Sequence, residues 1–72
     1  MTFTYNKLLG KIIEVFGSQY NFAIAMGISE RTLSLKLNGR RKWTNVDMKK
    51  AIELLKIPID KIPEYFFENL VQ

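Results

Sequence analysis

Three breaks decide what this chain can fold into, because each stops one apolar stripe and leads to a residue able to start the next. Gly17 is followed at once by Ser18, Gly27 two residues on by Ser29, and Asn38-Gly39 by Thr44 after a short loop. Glycine and asparagine tolerate the left-handed backbone that ends a helix, while Ser and Thr side chains accept hydrogen bonds from the free N–H groups that begin one. Between the breaks, apolar residues recur at three- and four-residue spacing, the period of a helix face. Leu8, Leu9, Ile12, Ile13 and Phe16 predict a first helix over residues 5–16, with Thr4 as its cap. The second helix follows Ser18 and buries Phe22, Ala23 and Met26; the third follows Ser29 and turns Leu33 and Leu37 inward. Thr44 with Asp47 three residues on resembles a capping box and opens a fourth helix through Leu55. Its stripe is Val46, Met48 or Ala51, Ile52 and Leu55. Pro58 and Pro63 leave room only for a short fifth helix or turn around Asp60. No stretch alternates long enough for a sheet, so the expected fold is all-α and five-helical, one domain over residues 1–72. The aromatic tail at residues 65–72 either packs inward or joins a second chain.

Seventy-two residues, 47% of them apolar, supply one small core. Without cysteine there is neither a disulfide nor a thiolate metal site, and without histidine the commonest general base and metal ligand are gone. An enzyme would need paired carboxylates in a cleft, which so short a chain does not readily build. No catalytic residue, cofactor or metal is therefore expected. No apolar run approaches the roughly 20 residues that cross a bilayer. The N-terminus lacks a basic stretch followed by an apolar one, so no secretory signal is expected and the compartment is the cytoplasm.

The net charge of +4 is unevenly placed. Residues 1–30 balance and residues 51–72 carry −2, whereas residues 31–50 hold Arg31, Lys36, Arg40, Arg41, Lys42, Lys49 and Lys50 against Asp47 alone. That segment either releases counterions from a bound polyanion or is a solvated loop that keeps the protein in solution.

Residues 19–38 read as two short helices hinged at Gly27, with Ala23 where the helices must approach closely. This is the spacing of a helix-turn-helix, which presents its second helix to a major groove. With Leu33 and Leu37 inward, the outward face of that helix collects Glu30, Arg31, Ser34, Leu35 and Asn38, just after the capping Ser29. Arg31 can make a bidentate contact to guanine, Glu30 can accept from cytosine, and Leu35 can meet a thymine methyl. The alternative for Arg31 is a surface pair with Glu30 or Ser34. Gln19 at the start of the preceding helix, and Asn38, Arg40, Arg41 and Lys42 at the far end, are placed for phosphate. Trp43 is either a plug under the loop or an exposed anchor for a partner. Lys36 stands where burial is expected, so either its stem snorkels over the core or the helix is slightly rotated. Leu35 beside Arg31 and Glu30 would equally suit a protein partner.

Gln19, Ala23, Gly27, Ile28, Leu33 and Asn38-Gly39 resemble the pattern of the phage repressor and Cro-like helix-turn-helix family, the λ-repressor-like type. The likeness spans about residues 5–67 and extends to Trp43 and Tyr65-Phe66-Phe67, as in the Cro-like regulators and modulators of repression of temperate phages of Gram-positive bacteria. The resemblance implies a transcriptional regulator opposing the lysogeny repressor in a lysis–lysogeny switch. It implies base contact from Glu30, Arg31 and Leu35, and phosphate contact from Gln19 and Asn38. As partners it implies double-stranded operator DNA, read as a homodimer on two half-sites. The alternative it carries is the repressor's own DNA-binding domain, held by the same face in a repressor–modulator complex.

Overall fold

The computed structural model describes residues 5–67; the expected cap at Thr4 and the end of the aromatic tail, residues 68–72, lie outside them. The fold is all-helical. Four α-helices, α1 (Asn6–Phe16), α2 (Gln19–Met26), α3 (Glu30–Leu37) and α4 (Asn45–Leu55), are followed by a 3₁₀ turn at Ile59–Lys61 and a π turn at Pro63–Phe67. These two turns stand where the short fifth helix was expected.

The breaks work as their chemistry requires. Ser18 Oγ accepts from the Asn21 N–H (3.1 Å) and Ser29 Oγ from the Thr32 N–H (3.0 Å). Thr44 and Asp47 complete a reciprocal box: Thr44 Oγ1 accepts from the Asp47 N–H (3.1 Å), and Asp47 Oδ2 from the Thr44 N–H (3.2 Å). Gly39 takes φ +75°, whereas Asn38 remains right-handed, so glycine alone supplies the reversal after α3. One stop was not expected. Lys56 ends α4 at φ +57°, and Ile57 beyond it is buried, its N–H bonded to the Ile52 carbonyl (2.9 Å). Burying an isoleucine just past the cap holds a lysine in a backbone conformation that glycine usually fills.

One core joins these pieces. Leu8 and Ile12 from α1, Phe22, Ala23 and Met26 from α2, Leu33 and Leu37 from α3, and Ala51, Ile52 and Leu55 from α4 meet Ile57 and Phe66. The expected stripes need two corrections. Val46 is 76% exposed, and Ile13 also faces solvent. In α4 the buried stripe begins with half-buried Met48 and then Ala51, because Val46, in the first turn, lies beyond the reach of the core. Helix α1 is wider at its rim: Leu9 and Phe16 are only partly buried, and Ile13 is one residue too far around.

Lys36 overturns the snorkelling reading of it. The residue is 5% exposed, and its head points inward rather than snorkelling to water. Its Nζ donates to Asp47 Oδ2 (2.5 Å) and to the Lys42 carbonyl (2.9 Å), and lies 5.7 Å from the centroid of the Trp43 ring. Burial alone would raise the Asp47 pKa. The hydrogen bond from Lys36, the Thr44 N–H, the Lys36 charge and the Thr44 hydroxyl together outweigh it and hold that carboxyl below its usual value. Trp43 packs edge-on to Phe66 (5.1 Å) and tilted against Tyr5 (6.3 Å), so it plugs the structure beneath the loop.

Leu33→Ala should cost about 2–5 kcal/mol in urea unfolding, whereas Val46→Ala should stay within about 0.5 kcal/mol. Asp47→Asn should cost about 3 kcal/mol at neutral pH, the low end for breaking a buried pair. A depressed folded pKa adds stability that is present above the unfolded value and lost as pH falls through the folded one. The gap between wild type and Asp47→Asn should therefore narrow below about pH 4 in unfolding curves taken across the acid range.

Candidate functional site

Helices α2 and α3 are joined by Gly27, Ile28 and Ser29, and the first two backbone N–H groups of the join are hydrogen-bonded. Gly27 takes φ +77°; its N–H donates to the Ile24 carbonyl (3.0 Å), and the Ile28 N–H donates to the Ala23 carbonyl (3.1 Å). This pairing closes α2 in a Schellman turn, with Ile28 packed against the core as its apolar stop. Ser29 then restarts the chain as the cap of α3. Ala23, almost wholly buried, is small enough for the two helices to pack closely.

The outward surface of α3 is largely as expected. Ser29, Glu30, Arg31 and Asn38 are exposed, while Gln19, Ser34 and Leu35 are half-buried. Arg31, Ser34, Leu35 and Asn38 follow three-, four- and seven-residue steps, so they share one side of the helix. Among the described residues Arg31 forms no ion pair, so the reading of it as half of a surface salt bridge does not hold. Ser29 is occupied by local structure: besides its cap bond, its hydroxyl donates to Thr32 Oγ1 (2.9 Å). Asn38 Nδ2 reaches back to Ser34 Oγ (3.4 Å), a long and weak contact that lays the amide along the helix.

The basic loop is folded onto the end of α3. The Gly39 N–H donates to the Lys36 carbonyl (3.2 Å), and the Leu35 carbonyl accepts from both Arg40 (2.9 Å) and Arg41 (3.2 Å). Arg40, Arg41 and Lys42 are thereby set just beyond a helix C-terminus, with their side chains exposed. The partial negative charge of that terminus favours cations there. A further cation borders the motif at its other corner. The Lys50 ammonium lies 3.7 Å from where a Cβ on Gly27 would stand.

The sequence reading missed the outer side of α2. Tyr20 is 57% exposed and Ile24 61% exposed, four residues apart on one face. A signal was available. In α2 (Gln19–Met26) only Gln19 and Asn21 are polar, more apolar surface than one buried face of a two-turn helix can hide. Asn21 was also missed: its Nδ2 donates to the Phe16 carbonyl (3.0 Å) and anchors the start of α2 to the end of α1.

No helix among the described residues is long and apolar enough to cross a membrane, and they contain no cluster of acidic side chains that could hold a metal ion. No curated protein matches the chain. A solved structure does: the solution structure of the modulator of repression of the temperate bacteriophage TP901-1 from Lactococcus lactis. The two are 51% identical, the match covers 100% of this chain and 97% of that one, and the TM-score is 0.84. Residues 1–69 match the family described as "Protein of unknown function (DUF739)", and the chain belongs to that family.

Proposed function

We propose that this chain modulates repression in the genetic switch of a temperate phage. In this reading α2 and α3 form a helix-turn-helix whose outer surface grips the DNA-binding domain of the phage repressor. The relative matched over 97% of its own chain, half identical in sequence, is itself a modulator of repression. The observation that carries the choice of partner is the exposure of Tyr20 and Ile24 on α2 together with that of Glu30 on α3. A phosphate-lined groove repels a carboxylate and offers an isoleucine little. Neighbouring exposed apolar side chains mark protein contact, and Tyr and Arg are the residues that anchor it. Ser29, Glu30, Arg31, Ser34 and Leu35 then form the centre of the interface, with Gln19, Asn38, Arg40, Arg41 and Lys42 at its rim.

A second reading rests on a different observation. Arg31 is exposed and outside any ion pair among the described residues, and Arg40, Arg41 and Lys42 stand beyond the end of the same helix. Against operator DNA, Arg31 would read guanine while the loop and Gln19 met phosphate, with a homodimer spanning two half-sites. The two readings combine where the repressor–modulator complex itself sits on DNA.

Binding to the purified repressor domain, followed by calorimetry, tests the first reading. Ile24→Asp should weaken it about tenfold or more, roughly 1.4 kcal/mol, with the melting temperature unchanged. Binding unaffected by both Ile24→Asp and Arg31→Ala would remove this face as the interface. Operator gel shifts with the protein alone, the repressor alone, and both together test the second reading. A shift by the protein alone that fades steeply with salt, and a loss of roughly 1–3 kcal/mol of specificity at one base in Arg31→Ala, would establish DNA as the partner instead.

A further inference from the structure

We infer that Lys36 is a positioning residue for the recognition surface: it fixes the basic loop to α3 so that both meet a partner as one rigid unit. The inference rests on the functional reading above for its consequence, and on geometry for its substance. Among the described residues, helix α3 packs extensively only against α2. At its C-terminal end the Lys36 ammonium reaches three separate places: the Asp47 carboxylate in α4, the Lys42 carbonyl in the loop, and the ring of Trp43. Gly39 to Trp43 line a cleft of about 560 Å³, so this stretch borders open space on one side and gains from a tether on the other.

Stability does not account for a lysine here. Taking an ammonium out of water costs several kcal/mol, and a hydrophobic residue of the same shape usually serves a core as well or better. Methionine is that residue, unbranched and of similar length. What methionine lacks is the donors that hold the Lys42 carbonyl and the Asp47 carboxylate together. The other backbone bonds of the loop, from Gly39 to the Lys36 carbonyl and from Arg40 and Arg41 to the Leu35 carbonyl, lie in its near half, and Trp43 is held at the far end by its ring contacts, so among the described residues Lys36 is what ties Lys42 between them. Asp47 is not stranded by the substitution, since it keeps its box with Thr44 and some exposure to water.

The test uses Lys36→Met, with Lys36→Gln as a second variant that retains one donor. Amide hydrogen exchange by NMR reads the loop without any partner, and calorimetry reads binding to the repressor domain and to operator DNA. In Lys36→Met the amides of Arg40 and Arg41, bonded to the Leu35 carbonyl, should exchange about tenfold faster or more once the tie to Lys42 no longer holds the loop, while those of Ile12 and Leu33 keep their protection. Lys36→Gln should fall between, and affinity for the partner should drop in the same order. Unchanged loop exchange overturns the inference, whatever happens to affinity. Loss of the folded state in both variants, with no cooperative transition left, also overturns it, because the pair would then hold the fold and not the loop. Faster loop exchange, with neither wild type nor variant binding repressor or operator, upholds the positioning role and rejects the functional reading.

Discussion

The Lys36 ammonium is the point through which three parts of this protein are kept in register. Helix α3 alone could pivot on α2, since a two-turn helix held along one face has a free end. The contact with Asp47 pins that end to the first turn of α4, where the carboxylate is already fixed by the Thr44 box. The contact with the Lys42 carbonyl pins the loop. The approach to Trp43 extends the chain of contacts to Phe66 in the π turn and to Tyr5 before α1. An ammonium has three donors and little tolerance for leaving them unmade in a dry place, so its partners are placed narrowly.

This pair and the apolar core divide the work. Burial of Leu8, Ile12, Phe22, Leu33 and Leu55 drives folding. The ion pair is close to neutral in that respect, because desolvation offsets most of the attraction. A core of leucines accepts several small rotations of α3, whereas a buried amine with fixed acceptors accepts far fewer. Stability and orientation therefore come from different residues, which lets a recognition surface change without loss of the fold.

What could be read from the sequence follows from how local each cause is. Ser18, Ser29 and the Thr44–Asp47 box act over three residues, so their spacing announces them. Gly27 and Gly39 are similarly local, since the left-handed turn is a property of the glycine itself. Val46 and Ile13 went wrong because helical spacing gives the direction of a stripe but not where the neighbouring elements stop covering it. Lys36 was legible as an anomaly and not as an ion pair, because Asp47 lies 11 residues away and the pairing depends on how α4 is laid down. Tyr20 and Ile24 escaped notice for the opposite reason: an apolar residue in a short helix is read as core by default, and only the packed structure separates the covered side from the open one. Of the candidate surface, the order of Glu30, Arg31, Ser34 and Leu35 along α3 was visible from periodicity, and the placing of the loop beside them was not.

The charges at the two ends of α3 constrain how a partner can lie. Glu30 opens the helix, where a carboxylate is favoured by the N-terminal partial charge, and Arg40, Arg41 and Lys42 lie past its end. An eight-residue helix places these ends about 12 Å apart, about one and a half screening lengths at physiological salt. The two ends thus act on a partner almost independently. On the proposed reading, a repressor domain carries cations where it reads DNA, so its reading surface belongs at the Glu30 end, and Tyr20 and Ile24 supply the apolar contact. The basic loop would repel that same surface and must meet acidic or neutral groups farther out. A partner turned end for end would set like charges together at both ends, so orientation is decided by repulsion as much as by attraction. Such discrimination requires the loop to be held at a fixed distance from Glu30, and the described contacts hold it there through Lys36.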